Sequence, residues 1–366
     1  MMLDLGDRPV ILMGYGLRAA NAPCGVLTKF GVPLLSSWQA IDLVDNGDPL
    51  YFGRPGIYGQ RCANRVLYEA DTVISLGCRM TPWMIGHTGL RPEQRLIMVD
   101  VDANEAARFP NAQWINQNVL EFVKACIGQY MDRSEWVTQC TQWREQYPWV
   151  ESPTHDDSKD YINSYRFIER LGPLLRENEI VATDVGSHMC SVFQALHVKP
   201  PQRVITSGGL GEMGCGLPAA IGASFATDKG QVVCTMGDGG MMMNLAELQT
   251  IWHHNLPIKI IVFENGGYAM IKGTHRNIKI PYTGVDKASG VSMPDFWDVA
   301  DAFNIKSCSV RNWNDFDLLV PMMLKSTEPF LMQVTIDPEQ VFAPRLQPKI
   351  AEDGTITPPK FYELSP

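Results

Sequence analysis

The sequence lacks the features that mark a secreted, membrane-bound or nucleic-acid-binding protein. Its nine cysteines are odd in number, widely spaced and without a CxxC pair, which argues against a disulfide framework or a zinc knuckle. No apolar run approaches the roughly 20 residues that span a bilayer, and residues 1–7 carry acids where a signal peptide carries basic residues. A net charge of -9 lacks the basic excess of a nucleic-acid binder. We therefore expect a cytoplasmic protein with reduced thiols and no nucleic-acid or membrane partner.

Length and composition predict two domains. At roughly 100–200 residues per domain, 366 residues suffice for two, and 45% hydrophobic residues are typical of large buried cores. The segment 151–160, ESPTHDDSKD, is polar and acidic, which is typical of a linker. We expect one domain over 1–150, a second over 161–342, and an irregular, proline-rich surface tail over 343–366.

Short β-branched apolar runs recur along the chain, and each is followed by a helical pattern. These runs are 9–13, 32–35, 71–76, 95–101, 180–183, 232–236 and 258–263. Continuously apolar strands that alternate with helices predict parallel sheets with both faces covered. The expected fold class is therefore α/β, with two doubly wound parallel-sheet domains.

Two glycine-rich turns follow neighbouring strands of the second domain. Gly-Asp-Gly-Gly at 237–240 ends one strand, and Asn265 follows the next. The carboxylate of Asp238, the amide oxygen of Asn265 and a glycine carbonyl are ligands that suit Mg²⁺, while glycine N–H groups suit phosphate oxygens. The alternative is a pair of ordinary tight turns. Between them, Asn244 followed by Glu247 predicts a capping box at a helix start.

Four segments carry a resemblance to a known family. They are TDVGSH at 183–188, SGGLGEMGCGLPAAIG at 207–222, and the pair of turns GDGG and ENGG at 237–240 and 264–267. Together they resemble the thiamine diphosphate (ThDP) enzymes, most closely the acetolactate synthase and related 2-oxo-acid carboligase branch. The resemblance covers essentially the whole chain. It implies that 1–150 is the Rossmann-like central domain and 161–342 the domain that binds the diphosphate and Mg²⁺.

The resemblance also implies roles for the residues at the turns. Asp238, Asn265 and the Gly267 carbonyl match the ligands of the metal ion. The residues that match the family's diphosphate contacts are Gly186, Ser187, His188, Gly237, Gly239 and Gly240. We therefore expect ThDP and Mg²⁺ as cofactors. In acetolactate synthases the central domain also holds FAD, and whether this chain binds FAD stays open.

The reaction pocket is implied in the same way. Met213 matches the large residue that lies beneath the bent cofactor, although an ordinary core methionine is the alternative. Met270 and Ile271 match residues that line the pocket. One departure is Glu264, which stands where the family has the first Asn of its pair; a carboxylate there is costly unless it points away or pairs with a cation. A second departure is KGTHRN at 272–277, which lacks the tryptophan frequent in this branch.

The activity implied is that of a decarboxylase or carboligase. Such an enzyme forms an enamine from a 2-oxo acid such as pyruvate and adds it to a second carbonyl compound. The family's pyrimidine-binding domain supplies a catalytic glutamate and normally precedes the central domain, whereas this sequence starts with what resembles the central domain. We therefore expect a split enzyme, in which a separate pyrimidine-binding subunit completes an α2β2 assembly.

Two other functions remain as alternatives. The chain could be a non-catalytic ThDP-binding or scaffolding subunit. It could also be an NAD-dependent dehydrogenase, because Gly14-Tyr15-Gly16 with Ala19 imitates a dinucleotide fingerprint after the first strand. The second strand, however, leads into Ser36-Ser37 and not into the acid that this fingerprint requires.

Overall fold

The structure is a computed structural model that describes residues 5–347, 349–350, 356–357, 359 and 361. The chain forms two compact units. The first contains the described residues up to Thr154, together with Val198–Pro200 and those from Ala343 onward. The second contains His155–His197 and Pro201–Phe342. None of the helices within these described residues is long and apolar enough to cross a membrane.

The first unit is built on a parallel sheet of five strands in the order β2-β1-β3-β4-β5. The strands are β1 (Pro9–Met13), β2 (Leu34–Ser36), β3 (Thr72–Leu76), β4 (Arg95–Asp100) and β5 (Gln113–Asn116). The helices are α1 (Tyr15–Ala19), α2 (Arg61–Glu69), α3 (Pro82–Ile85), α4 (Ala103–Ala107), α5 (Val119–Ala125) and α6 (Ser134–Gln146). In β1, Ile11 and Met13 join one core cluster while Val10 and Leu12 join another. Since successive side chains of a strand point to opposite faces, both faces of this sheet are covered.

The second unit is built on a parallel sheet of six strands in the order β10-β11-β9-β8-β6-β7. The strands are β6 (Ile180–Thr183), β7 (Arg203–Ile205), β8 (Val232–Gly237), β9 (Ile258–Glu264), β10 (Lys306–Val310) and β11 (Phe330–Thr335). The helices are α7 (Ser164–Leu171), α8 (Ser187–Ala195), α9 (Gly216–Ala226), α10 (Asp238–Met243), α11 (Glu247–His254), α12 (Ala269–Asn277), α13 (Phe296–Ala302) and α14 (Trp313–Lys325). Two parallel-sheet α/β units confirm the expected fold class.

The glycine-rich turn after β1 is explained by packing within the first unit. The N–H of Gly14 donates to Leu76 O at 3.0 Å, and that of Gly16 donates to Gly77 O at 2.9 Å. A Cβ atom on Gly14 would overlap the backbone of Gly77. Because both N–H groups already have partners, they are not free to bind a pyrophosphate, and this argues against the dinucleotide interpretation.

The segment after Phe342 is less irregular than expected. Two short strands, β12 (Lys349–Ile350) and β13 (Ile356–Thr357), pair antiparallel. Phe361 is buried, and its carbonyl accepts a hydrogen bond of 3.0 Å from Asn64 Nδ2 on α2. Phe361 therefore packs against α2 of the first unit.

The predicted capping box is wrong. Asn244 ends α10, and its Nδ2 donates to Gly214 O at 2.8 Å instead of capping the next helix. Helix α11 begins at Glu247 without a side-chain cap. A tertiary hydrogen bond therefore takes the side chain that the local pattern assigns to the helix start.

Candidate functional site

Three neighbouring strands of the second unit, β6, β8 and β9, end at the same edge of the sheet. They run parallel, with Thr183 paired to Thr235 and Gly237 paired to Phe263. The loops that follow them carry the residues predicted from the sequence to bind a cofactor. In open α/β sheets this carboxyl edge is where ligands bind.

Asp238 joins the two glycine-rich turns. It is the first residue of α10 and only 1% exposed. Its Oδ1 accepts from the N–H of Gly239 at 2.7 Å, and its Oδ2 accepts from the N–H groups of Asn265 at 3.1 Å and Gly267 at 2.9 Å. A carboxylate has about four acceptor positions. Three hydrogen bonds therefore leave acceptor capacity for a cation.

The charge of Asp238 is poorly compensated in the protein alone. Burial, together with a smaller contribution from the nearby Glu264 carboxylate, raises the pKa of its carboxyl from 3.8 to about 6. The N–H groups of Gly239, Asn265 and Gly267 act in the opposite direction. A buried carboxylate with a raised pKa is stabilised in its ionised form by a bound cation, so this environment suits a metal ligand.

Asn265 and Gly267 lie beside this carboxylate. The side chain of Asn265 is 8% exposed and makes no hydrogen bond with any described residue. Gly267 has φ +153°, and a Cβ atom there would overlap the carbonyl oxygen of Val285. No three His, Cys, Asp or Glu side chains form a metal cluster among the residues that the structure describes. A cation here would have Asp238 as its acidic ligand and take its other oxygens from amide, carbonyl, phosphate and water, which suits Mg²⁺.

His188 is fully buried at the start of α8. Its Nε2 lies 3.0 Å from Asp184 O, which can only accept, so the proton is on Nε2. The ring stacks on Phe263, with centroids 6.2 Å apart. Nδ1 is buried and has no partner, and it faces Gly186 and Gly237, where Cβ atoms would lie 3.1 and 3.3 Å away. An orphaned buried nitrogen between two glycine turns is a candidate group for binding a ligand.

The protonation of His188 follows from its burial. Burial lowers the pKa of the ring to about 4, although Asp184 acts to raise it. The ring is therefore neutral near pH 7, with a lone pair on Nδ1. In the neutral ring, Nδ1 accepts a hydrogen bond. A neighbouring anion favours protonation of the ring, and the protonated Nδ1 would then donate a hydrogen bond to a phosphate oxygen.

The first turn of α8 adds further anion-binding capacity. Ser187 is its first residue and is buried, with Gly186 immediately before it. Unpaired N–H groups and the helix dipole make such a helix start favourable for phosphate. The predicted site residues Gly186, Ser187 and His188 therefore lie together at the start of one helix.

Gly239 and Gly240 have reasons to be glycine that do not involve a ligand. A Cβ atom on Gly239 would overlap the ring of Tyr268. One on Gly240 would overlap Oδ2 of Asp184. Packing accounts for both glycines, and their contact with a diphosphate stays a prediction.

Sequence reasoning gave Asp184 no role, yet it organises the site. Its buried carboxylate accepts from Gly214 N and Gly216 N, each at 3.0 Å, and from Cys215 Sγ at 3.4 Å. It thereby holds the turn that follows Met213 and starts α9. The feature of the sequence that could have indicated a role for Asp184 is its position directly after an apolar strand, within TDVGSH.

The three predicted pocket residues lie on loops and helices that follow β7 and β9. Met213 is half-buried in the turn before α9. Met270 is half-buried and Ile271 is 49% exposed, both in the first turn of α12. Their role in a reaction pocket stays a prediction.

Glu264 is the last residue of β9. Burial raises the pKa of its carboxyl, and a hydrogen bond from the Gly266 backbone opposes this. Among the described residues it has no ion-pair partner. The Gly266 N–H group and partial exposure therefore accommodate its charge.

A doubly wound sheet with a buried carboxylate, glycine turns and a helix start at its carboxyl edge defines an α/β protein that binds a phosphorylated cofactor. The comparisons with known proteins give the family. The chain belongs to the thiamine pyrophosphate enzymes: the C-terminal TPP binding domain of that family matches residues 184–334, and its central domain matches residues 1–125. The resemblance noted from the sequence is confirmed.

Individual relatives agree with this assignment. The chain is 31% identical to the acetolactate synthase isozyme 1 large subunit of Escherichia coli, over 96% of this chain and 62% of that protein. It is 28% identical to a probable acetolactate synthase large subunit of Methanocaldococcus jannaschii, over 96% of this chain and 60% of that protein. The chain thus spans about three fifths of these relatives. The fold matches a Rhodococcus jostii thiamine diphosphate-dependent 4-hydroxybenzoylformate decarboxylase with a TM-score of 0.74 at 20% identity, over 91% of this chain and 62% of that one.

Proposed function

We propose that this chain is the diphosphate-binding subunit of a split thiamine diphosphate-dependent 2-oxo-acid decarboxylase or carboligase. The observation that carries this proposal is the carboxylate of Asp238, which joins two glycine turns at the carboxyl edge of the sheet. The orphaned Nδ1 of His188 supports it. The naming of relatives as acetolactate synthases favours carboligation over simple decarboxylation.

The residues at this edge have the donor set that the cofactor needs. Asp238, Asn265 and the Gly267 carbonyl would hold Mg²⁺, and the helix start at 186–188 would hold the diphosphate. Bound ThDP supplies the electron sink for CO₂ loss from a 2-oxo acid and for joining the remaining fragment to a second carbonyl. The protein contributes orientation, and the apolar side chains of Met213 and Met270 would exclude water from the pocket.

A partner is part of this proposal. Four large apolar side chains are exposed at or next to the same edge: Leu210 at 92%, Met242 at 40%, Met243 at 51% and Ile271 at 49%. Exposed apolar groups beside a binding site are typical of an interaction surface. We propose that a separate pyrimidine-binding subunit covers this surface in an α2β2 assembly and supplies the catalytic glutamate.

Calorimetry with ThDP, in Mg²⁺ and again in chelator, tests the site. The wild-type chain should bind ThDP only with Mg²⁺, and Asp238→Ala should abolish this binding because it removes the acidic ligand. Asp301→Ala is the matched control, since Asp301 is an exposed acid on α13 of the same unit. Unchanged affinity in Asp238→Ala would refute the assignment of the site.

Turnover tests the division of labour. The isolated chain with ThDP, Mg²⁺ and pyruvate should release no CO₂, because in this proposal the pyrimidine-binding half comes from a separate subunit. Adding the co-purifying partner from the native source should restore turnover. CO₂ release by the isolated chain at an ordinary enzymatic rate would show that the enzyme is not split. Binding without turnover even in the presence of the partner would favour the non-catalytic alternative.

A further inference from the structure

Helix α12 carries a nearly buried lysine whose partners lie on two other segments. Lys272 is 8% exposed. Its Nζ lies 3.4 Å from Asp286 Oδ2 and also contacts a carboxylate oxygen of Glu339. Burial acts to lower the pKa of Lys272, but the contacts with Glu339 and Asp286 outweigh it and raise the pKa above its usual value. The ammonium group is therefore a permanent positive charge between two acids.

Asp286 belongs to the loop that closes over the cation-binding turn. Gly267 and Asp286 form an antiparallel bridge, and Tyr268 N donates to Val285 O at 2.8 Å. The loop is closed on itself, since Asp286 Oδ1 accepts from Ser289 N at 3.0 Å. The backbone at Gly267 is therefore held on one side by Asp238 and on the other by this loop.

The charge of Lys272 connects that loop to the helix after the turn. Lys272 N donates to Tyr268 O at 2.9 Å, so Lys272 lies one helical turn beyond Tyr268, the residue that follows Gly267. Its side chain then reaches back to Asp286, opposite Gly267 in the bridge. The Gly267–Asp286 bridge and the Lys272–Asp286 ion pair therefore hold the two ends of the turn that carries the Gly267 carbonyl.

We propose that Lys272 is a positioning residue for the cation site, acting through Asp286 to hold the Gly267 turn in its ligand geometry. This inference rests on the proposed function for the nature of the ligand. The physical link is a charge-assisted contact to a carboxylate whose backbone is paired with Gly267. A merely structural lysine would stabilise the fold without affecting this turn or its cation.

The neighbouring arginine provides a matched control. Arg276 lies one helical turn further along α12, contacts Glu339 at 2.5 Å and lies 3.4 Å from Tyr282 Oη. It shares Glu339 with Lys272 but does not contact Asp286. Arg276→Met therefore removes a comparable charge from the same helix and leaves the link to the Gly267 turn intact.

The first experiment follows amide hydrogen exchange in the full chain without cofactor. In Lys272→Met, exchange at Tyr268 should be about tenfold faster, because the loop that accepts its N–H has lost its ion pair. Lys272→Arg should restore slow exchange, and Arg276→Met should leave it unchanged. Equal exchange in Lys272→Met and the wild type would overturn the inference, whatever the cofactor is.

The second experiment titrates Mg²⁺ into the same proteins at saturating ThDP and follows the heat. Lys272→Met should bind Mg²⁺ about tenfold more weakly than the wild type, and Asp286→Asn should match it, with no further loss in the double variant. Additive losses, or an unchanged Mg²⁺ affinity, would overturn the inference. Absence of binding in the wild type would instead overturn the proposed function. If Lys272→Met does not fold, Asp286→Asn carries both measurements, since Asn retains the acceptor for Ser289.

Discussion

Replacing Asp184 by asparagine should destabilise the second unit strongly, although the two side chains have nearly the same shape. The carboxylate is fully buried and accepts two backbone N–H bonds of 3.0 Å, one on each oxygen, from Gly214 and Gly216. Asparagine offers one oxygen and one NH₂ group. Whichever way the amide is turned, one of the two N–H groups meets a donor and loses its partner.

The size of the effect follows from these contacts. A hydrogen bond to a charged acceptor contributes about 1.5–3 kcal/mol, and a buried N–H left without a partner costs about 1–3 kcal/mol. We expect Asp184→Asn to lower the free energy of unfolding by about 3 kcal/mol. For a unit of this size that corresponds to a Tm lower by about 6–12 °C. The same change should loosen the turn after Met213.

Scanning calorimetry of the full chain measures this effect. Cys215→Ala is the control, because it removes only the weak thiol contact of 3.4 Å to the same carboxylate and should cost less than about 1 kcal/mol. A Tm of Asp184→Asn within about 2 °C of the wild type would show that the carboxylate does not hold this turn, and the argument for its role would fail.

Two further predictions concern the proposed cation-binding turns. Gly267→Ala should abolish Mg²⁺-dependent ThDP binding in calorimetry, because its Cβ atom would overlap Val285 O; Gly284→Ala, also at positive φ but in open space, should retain binding. Asp238 should make stability depend on pH in the protein without cofactor. Since burial raises its pKa from 3.8 to about 6, the folded state holds a proton that the unfolded state has lost over that range. Thermal melts of the wild type and Asp238→Asn measure the stability that the Asp238 side chain contributes. This contribution should be fully present below pH 3.8 and lost as the pH rises through about 6. A stability difference between the two proteins that does not vary with pH would contradict this.

The strands that could be predicted from the sequence are the continuously apolar ones, which lie inside the two sheets except for β2, an edge strand that is nevertheless fully buried. Three strands that were not predicted, β5, β7 and β10, lie at sheet edges and are partly exposed. Edge strands have fewer neighbours, so their sequences need not be apolar throughout and carry a weaker signal. β11 is buried and apolar, but Gln333 interrupts its pattern; that side chain accepts a hydrogen bond from Phe296 N at 3.0 Å.

Some residues of the candidate site could likewise be predicted from the sequence, and others could not. Asp238, Asn265 and Gly267 could be placed together because the carboxyl ends of neighbouring parallel strands meet at one edge of a sheet. The role of Asp184 could not be predicted, because the N–H groups it accepts lie 30 and 32 residues further along the chain. Lys272 was missed for a similar reason, since its partners come from separate segments and no local pattern connects them.

The contacts of Asp184 also link the turn after Met213 to helix α10. The carboxylate binds Gly214 N and lies so close to Gly240 of α10 that only glycine fits there. A second link runs from Asn244 Nδ2, at the end of α10, to the carbonyl oxygen of Gly214 at 2.8 Å. The C=O of Gly214 is thus bound to the residue that follows α10, and its N–H to a carboxylate that packs against α10. Since α10 begins at Asp238, the proposed metal ligand, we expect a displacement of the turn after Met213 to displace that carboxylate as well.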